Sequence, residues 1–329
     1  MQLRVNITRN KWMRGLLLLL LILCVWFGAE DIHEAVNILM YSKSNSVGSL
    51  DTRQMSDASN FRVFDTSVDY SNAEQIYKCV NLTIEKLAST PICVYDPAID
   101  IWVSGYIISK GNFEGDLILE LVKILQDNPS LTFLDIGCNV GVYTLAVAKF
   151  GRQVTAVDAN RKNLEMVATS LVKGNLTEKV KLIWNAISDK EETVGLNHWK
   201  GNVGGLQMIS GIGPINDSSG YESSKAIVLD NLVPIFRKKS LVIKMDIEKF
   251  ELKAMLGGKK FFEEVDVRFL LMEWVHHAWT DVGGKIIQFM MEREYIPVMP
   301  LQRLVRLQAE NRTTWPNDIM WIKNSNKVP

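Results

Sequence analysis

An apolar strand, a glycine-bearing turn, a helix and a second strand follow one another in the middle of this chain, and this unit constrains the fold most. Leu131 to Ile136 predict a buried strand, and Gly137 to Gly141 predict a turn. Val142 to Phe150 predict a helix, and Val154 to Val157 predict a second strand that ends at Asp158. Such a unit is typical of the nucleotide-binding half of a doubly wound α/β sheet.

The spacing of the glycines indicates which ligand this turn binds. A dinucleotide site has the pattern G-x-G-x-x-G, which seats a pyrophosphate on the helix N-terminus. Here the pattern is Asp135-x-Gly137-x-x-x-Gly141, with a carboxylate ahead of the glycines. A carboxylate repels a pyrophosphate but attracts the ammonium and sulfonium groups of S-adenosylmethionine. We therefore predict an S-adenosylmethionine site, and an ordinary strand-to-helix turn is the alternative.

The end of the second strand supplies a further contact for this ligand. Asp158 is placed to accept hydrogen bonds from both hydroxyls of a ribose, and each charge-assisted bond of this kind contributes about 1.5–3 kcal/mol. Glycine has no Cβ, so a ligand can come close to the backbone of the turn. The predicted cofactor-binding residues of this unit are Asp135, Gly137, Asn139, Gly141 and Asp158.

Acidic residues and a histidine follow two later apolar strands, predicted over Leu241 to Met245 and Phe269 to Met272. Ligands of open α/β sheets bind at the carboxyl ends of the strands. A carboxylate or an imidazole placed there can take a proton from a reacting group. The predicted catalytic residues are Asp246, Glu248 and His276. The alternatives are helix-end charge and solvated surface for Glu248 and Glu251, and loop polarity for His276 and His277.

The same region leaves a metal site open as another interpretation. Oxygen and imidazole ligands of the kind that divalent metals take are offered by Asp246, Glu248, Glu273 and His276. Their spacing is not the dense ligand pattern of a metal-binding motif. The sequence therefore predicts no metal.

Several blocks of the chain, taken in order, resemble the FkbM-type S-adenosylmethionine-dependent methyltransferases. The blocks are FLDIGCNVGVYTLAVAKFG, VTAVDANRKNLEMV, NAISDKEETVGL, LDNL, LVIKMDIEKFELKAMLGG and FLLMEW. They cover roughly Ser104 to Ile322. The resemblance implies a doubly wound, mainly parallel, seven-stranded sheet whose last strand, Asp318 to Ile322, is antiparallel. It also implies S-adenosylmethionine as the cofactor, Asp189 as a further cofactor-binding residue, and transfer of a methyl group to a hydroxyl.

The chain departs from the family pattern at two places. The family usually has Glu-Pro where this chain has Asp158-Ala159, which is a conservative change for a ribose ligand. It usually has Gly-Tyr where this chain has Lys249-Phe250, which brings a long cation close to the predicted reaction centre. The second departure predicts a different substrate preference.

The N-terminus carries four basic residues ahead of an apolar run from Gly15 to Ala29. This pattern predicts an uncleaved signal anchor with its N-terminus in the cytosol, and the alternatives are a cleaved signal peptide and a buried core helix. The predicted protein is a single-pass type II membrane protein of the Golgi or endoplasmic reticulum. Its segments are a cytosolic tail (1–14), the anchor (15–29), a lumenal stem (30–90) and a methyltransferase domain (91–329).

Glycosylation triplets and two cysteines agree with a lumenal domain. A disulfide between Cys79 and Cys93 is one expectation for an oxidising lumen, and two unpaired buried thiols are the other. The acceptor asparagines that follow the apolar run are Asn81, Asn175, Asn216 and Asn311.

Charge and topology limit the partners. The 37 basic and 37 acidic side chains leave no basic excess, so we predict no nucleic-acid partner. A lumenal enzyme meets hydroxyl-rich glycans, so we predict a glycan or small-molecule acceptor. Trp199, Trp274 and Trp279 are candidates to stack on a sugar ring, and packing in the core or in an interface is the alternative. Two other classes stay open, a nicotinamide-dependent oxidoreductase and a catalytically silent, membrane-anchored binding protein. The missing third glycine disfavours the first, and the retained acids disfavour the second.

Overall fold

The computed structural model describes residues 61–66, 77–199, 201–210 and 222–324. The predicted cytosolic tail and signal anchor, residues 1–29, lie outside this described part, and so do residues 30–60 of the predicted stem. No helix of the described ranges combines the length and the apolar character that a membrane crossing needs.

Strands and helices alternate through the described part of the chain. The strands are β1 Lys78–Leu82, β2 Thr90–Val94, β3 Leu131–Ile136, β4 Val154–Asp158, β5 Val180–Trp184, β6 Ala186–Ser188, β7 Glu192–Trp199, β8 Asn202–Ile209, β9 Glu222–Val228, β10 Ser240–Met245, β11 Asp266–Glu273, β12 Tyr295–Met299, β13 Gln302–Arg306 and β14 Asp318–Lys323. The helices are α1 Ser104–Lys110, α2 Gly115–Asp127, α3 Val142–Lys149, α4 Arg161–Gly174, α5 Val233–Phe236, α6 Glu251–Leu256, α7 Lys259–Glu264 and α8 Asp281–Glu292.

The central sheet has eight strands in the order β13-β12-β14-β11-β10-β3-β4-β5. Strands β11, β10, β3, β4 and β5 are parallel to one another. Strand β14 lies between β11 and β12 and is antiparallel to both. The predicted doubly wound, mainly parallel sheet with an antiparallel last strand is therefore confirmed. Strand β13, which pairs with β12 at the edge, adds one strand to the seven predicted.

Helices cover both faces of this sheet because its strands are apolar on both sides. In β3, Phe133 belongs to the core beneath α2, α3 and α4. Its neighbours Leu134 and Ile136 belong to the core beneath α5, α7 and α8. Continuous apolar runs are typical of such doubly covered parallel strands. The parallel strands consequently end together at one edge, where the turns after β3, β4 and β10 meet.

The folded domain begins earlier in the chain than predicted. Residues 61–66 lie along the edge strand β5, where the Phe64 amide donates to the Leu182 carbonyl at 2.9 Å. The β1–β2 hairpin packs against α4, and a disulfide joins Cys79 to Cys93 across it. The predicted stem, 30–90, thus includes residues of the domain, because buried apolar side chains such as Leu82 secure short strands within a polar sequence.

A second sheet, in the order β6-β9-β7-β8, is formed by strands that lie between β5 and β10 in the chain. The Ile101 amide donates to the Gly201 carbonyl at 2.8 Å, so the turn between β7 and β8 reaches the loop before α1. Between β10 and β11 the chain forms the two short helices α6 and α7, which Gly257 and Gly258 separate.

Candidate active site

A cavity of about 210 Å³ lies at the edge where β3, β4 and β10 end. Its walls come from the turn after β3, the end of β4, the start of β6 and the turn after β10. Five of the predicted site residues line it: Gly137, Asn139, Asp158, Asp246 and Glu248. The cavity is also lined by residues that were not predicted from the sequence, among them Glu114, Tyr143, Asn185 and Lys244.

The two glycines of the turn allow close packing of the protein on itself. Gly137 has a φ of +81°, and a Cβ built on it would lie 1.8 Å from the backbone oxygen of Asp246. Gly141 has a φ of +89°, and its Cβ would lie 2.8 Å from Cγ2 of Val167 in α4. The prediction assigned both glycines to the approach of a ligand, and Gly137 lines the cavity. Gly137 also lets the turn after β3 pack against the turn after β10, and Gly141 lets it pack against α4.

The carboxylate of Asp158 is buried and holds the ends of two neighbouring turns. It accepts hydrogen bonds from the Asn139 amide at 2.8 Å, the Asn160 amide at 2.7 Å and Nδ2 of Asn163 at 3.2 Å. Burial raises its pKa to about 7 although these donors favour the ionised form. Since a carboxylate accepts about four hydrogen bonds, one position is left, not the two that the ribose prediction requires.

Asn139 presents an unsatisfied oxygen at this cavity. Its backbone is left-handed, with a φ of +50°, and its Oδ1 is buried without a hydrogen-bond partner in the described part of the chain. An unsatisfied buried acceptor costs about 1–3 kcal/mol. A donor group of a bound ligand would remove this cost, which fits the predicted cofactor role.

Asp135 and Asp189 do not line the cavity. Asp135 is fully buried behind the turn and accepts a hydrogen bond from Oγ1 of Thr144 at 2.6 Å, because its side chain points toward α3. Asp189 is exposed and accepts from Oγ of Ser188 at 3.2 Å. Neither carboxylate therefore lies at the wall of this cavity.

Lys244 is a buried cation, and the sequence predicted it only as part of an apolar strand. Its Nζ donates to Oδ2 of Asp246 at 3.0 Å and lies 5.0 Å from the centre of the Tyr143 ring. Burial opposes its charge, but the carboxylates of Asp246, Asp135 and Glu114 raise its pKa overall. Lys244 therefore fixes the Asp246 carboxylate at the cavity wall.

Glu248, Glu273 and His276 form a cluster beside Asp246. Nε2 of His276 lies 3.6 Å from Oε2 of Glu248 and 3.7 Å from Oε2 of Glu273. Burial and the neighbouring carboxylates raise the pKa of Glu248 to about 7 and that of Glu273 to about 9. Burial and Lys249 lower the pKa of His276. These shifts favour the protonated form of the two carboxyl groups and the neutral form of the imidazole.

A buried histidine–glutamate contact beneath this cluster joins the two loops that carry it. Nε2 of His277 lies 2.8 Å from Oε2 of Glu251, and both side chains are almost fully buried. The other oxygen of Glu251 accepts from the Ile247 amide at 2.9 Å. The alternatives of solvated surface for Glu251 and loop polarity for His277 are thereby wrong, since both side chains are enclosed by α6 and the loop after β11.

Two groups of three side chains in this region have geometry compatible with a cation. Ligand atoms of Glu248, Glu273 and His276 lie within 4.8 Å of one another, as do those of Asp246, Glu251 and Glu273. In the second group, Glu251 is buried and already forms hydrogen bonds with His277 and Ile247. Only the first group consists entirely of partly exposed side chains.

The tryptophans have separate roles. Trp274 is fully buried, with its ring centre 4.8 Å from that of Trp315, and it donates to the Arg312 carbonyl. It is a core residue and is not available to stack on a sugar. Trp279 is 79% exposed, and Trp199 ends β7.

Solved structures similar to this chain include several methyltransferases. Precorrin-6y C5,15-methyltransferase from Geobacter metallireducens is 11% identical, with 64% of this chain and 90% of that chain covered and a TM-score of 0.36. A TehB-like S-adenosylmethionine-dependent methyltransferase from Corynebacterium glutamicum is 9% identical, with 67% and 94% covered and a TM-score of 0.38. The Pyrococcus abyssi tRNA (uracil-54, C5)-methyltransferase, solved with S-adenosyl-L-homocysteine, is 12% identical, with 74% and 43% covered and a TM-score of 0.37.

No protein-family model matches the sequence, and no curated protein matches it either. The FkbM-type assignment consequently stays a prediction. At these identities and TM-scores the fold assignment rests on the strand order of the chain itself, in which β14 is inserted antiparallel between β11 and β12.

Proposed function

We propose that this protein is an S-adenosylmethionine-dependent methyltransferase that methylates a hydroxyl group. The proposal rests on the cavity at the carboxyl edge of the sheet, which brings together the turn after β3, the acids after β10 and Glu273 at the end of β11. The unsatisfied Oδ1 of Asn139 and the remaining acceptor position of Asp158 fit donor groups of the cofactor. The apolar walls of the cavity, which include Val157, Ile187 and Met208, suit an adenine ring.

The bound cofactor supplies a methyl group that is already activated by its sulfonium. The protein has to orient the acceptor and take up the hydroxyl proton as the methyl group is transferred. Glu248 is suited to this task because it lines the cavity and its pKa of about 7 matches neutral conditions. Lys244 fixes Asp246 next to it, so Asp246 orients the acceptor in this scheme.

His276 gives the proton a route away from Glu248. His276 does not line the cavity but lies behind Glu248, with the two side chains 3.6 Å apart. Its lowered pKa leaves the imidazole neutral and able to accept a proton. At 34% exposure the imidazole can pass that proton to solvent. In this scheme Glu248 is the base, His276 relays the proton and Asp246 orients the acceptor.

We expect Asp158→Asn to weaken binding of S-adenosylhomocysteine by roughly 10- to 100-fold, because it removes a charge-assisted hydrogen bond worth about 1.5–3 kcal/mol. Isothermal titration calorimetry measures the change. Asparagine keeps the size of the side chain, so the hydrogen bonds that Asp158 accepts within the protein are weakened but not all lost. Asp189→Asn is the matched control, since Asp189 is exposed and outside the cavity. Equal affinities of the two variants would remove Asp158 from the cofactor site.

We further propose that the domain is lumenal. The Cys79–Cys93 disulfide suits an oxidising compartment, and the three acceptor asparagines that the structure describes, Asn81, Asn175 and Asn311, are all exposed. The full chain made in a secretory host is expected to stay with the membrane fraction and to lose apparent mass on treatment with an N-glycosidase. A variant with glutamine at the three positions should show a smaller loss. A product without glycans would contradict the lumenal assignment.

A further inference from the structure

Trp102 is a large aromatic residue that is 68% exposed. It lies in the loop before α1 and lines the same cavity as Asn139 and Asp158. Among the tryptophans whose side chains the structure describes, it alone lines this cavity. A single exposed apolar side chain is ordinary on a protein surface, but one that lines a ligand cavity is available to the ligand.

Hydrogen bonds hold the backbone on both sides of Trp102. The carboxylate of Asp100 is fully buried and accepts a hydrogen bond from the Ser104 amide at 2.9 Å, which fixes the start of α1. The Ile101 amide donates to the Gly201 carbonyl at 2.8 Å. Trp102 is therefore carried by a fixed backbone, and a ligand that contacts its ring does not have to order the loop.

The same contacts place Trp102 beside the start of β8. Asp100 forms a β-bridge with Asn202, the first residue of that strand. Three residues of β8, namely Asn202, Gly205 and Met208, line the cavity with Trp102. Met208 belongs to the apolar wall that suits an adenine ring, whereas the proposed base comes from the loop after β10. Trp102 is thus joined to the strand that supplies part of the adenine wall.

Adenine is the part of S-adenosylmethionine that an indole ring recognises best. It is the one flat aromatic group of the cofactor, and aromatic side chains stack on the π-faces of bases. An indole also attracts a sulfonium. The sulfonium, however, has to bring its methyl group within reach of the acceptor at Glu248, and the loop of Trp102 is bonded to β8 instead.

We propose that Trp102 stacks on the adenine ring of bound S-adenosylmethionine and shields that ring from water. The inference rests on the proposed methyltransferase function and adds a cofactor-binding residue to it. Trp102 lies outside the glycine turn and the strand ends, and it was not among the tryptophans that the sequence offered as ligand-stacking candidates. Its role depends on the fold, which brings the loop before α1 to β8.

The test measures the binding of S-adenosylhomocysteine and of adenosine to the full chain by isothermal titration calorimetry. Trp102→Ala removes the ring, and Trp102→Phe keeps a smaller aromatic ring. Trp279→Ala is the matched control, because Trp279 is 79% exposed and does not line the cavity. Thermal unfolding checks the fold of each variant, and the midpoint of Trp102→Ala should match that of the parent protein because the side chain is largely exposed.

We expect Trp102→Ala to weaken the binding of both ligands by roughly 5- to 100-fold, because both contain adenine. Trp102→Phe should lose less, and the control should bind like the parent protein. An unchanged affinity in Trp102→Ala, an equal loss in the control, or a loss for S-adenosylhomocysteine that adenosine does not share would overturn the inference and leave the methyltransferase proposal intact. Failure of the parent protein to bind S-adenosylhomocysteine would overturn both.

Discussion

Glu248→Gln is expected to lower the rate of methyl transfer by about 10²- to 10⁴-fold, which is the usual contribution of a positioned base. Glutamine retains the size and the hydrogen-bonding atoms of the side chain but cannot take a proton. The affinity for S-adenosylhomocysteine should stay within about twofold, since cofactor contacts are assigned to Asn139 and Asp158. Transfer of a radiolabelled methyl group to glycan, lipid and small-molecule fractions first identifies an acceptor, on which both rates are then measured.

The pH dependence of the parent enzyme follows from the same assignment. Glu248 acts as a base only when ionised, so kcat/KM should rise as the pH increases through about 7, where its pKa lies. The glutamine variant should lack this ionisation, and Glu263→Gln should keep it, because Glu263 is exposed on α7 and does not line the cavity. If Asp246→Asn loses the activity and Glu248→Gln keeps it, Asp246 is the base. If a chelator removes the activity and Mg²⁺ restores it, the carboxylates hold a metal.

Gly137→Ala is expected to destabilise the fold by about 2–5 kcal/mol. A left-handed φ costs a non-glycine residue about 1–2 kcal/mol, and overpacking adds about 1–3 kcal/mol. The added Cβ would lie 1.8 Å from the backbone oxygen of Asp246, so one of the two turns has to move. Denaturant unfolding measures the free energy, and binding of S-adenosylhomocysteine should weaken because the turns form the cavity.

Gly151→Ala is a matched control for this substitution. Gly151 has a φ of +97°, but a Cβ built there meets no heavy atom within 4 Å. It therefore carries the backbone cost without the steric one, and should be destabilised by about 1–2 kcal/mol only. Equal losses of stability in the two variants would show that close packing of the turns does not depend on Gly137.

The parts of the fold that local patterns determine were predictable. Strand β3 and the turn after it have the predicted bounds, and α3 and β4 differ from the prediction by one residue at their ends. A continuous apolar run bounded by glycines depends little on the rest of the chain. Strand β8 contains glycines and polar residues and has no local strand pattern, so only its pairing with β7 makes it a strand.

The candidate site was predictable where a residue ends a strand, as Asp158 does, or directly follows one, as Asp246 does. Its other members depend on long-range contacts. Glu114 reaches the cavity from a loop that precedes β3, and its nearest partner Tyr143 is 29 residues away. Lys244 lies within an apolar strand, and only the fold shows that its ammonium turns toward Asp246. Glu251 and His277, 26 residues apart, give no local sign that they pair.

Titration of the parent protein with S-adenosylmethionine and, separately, with NAD tests whether the cavity is an S-adenosylmethionine site. The two ligands share adenosine, so a site that recognises only the nucleoside binds both. The carboxylates at this cavity favour a sulfonium and an ammonium group over a pyrophosphate. We expect saturable one-to-one binding of S-adenosylmethionine and no binding of NAD at the same concentrations. Binding of NAD with equal or higher affinity, or of neither ligand, would contradict it.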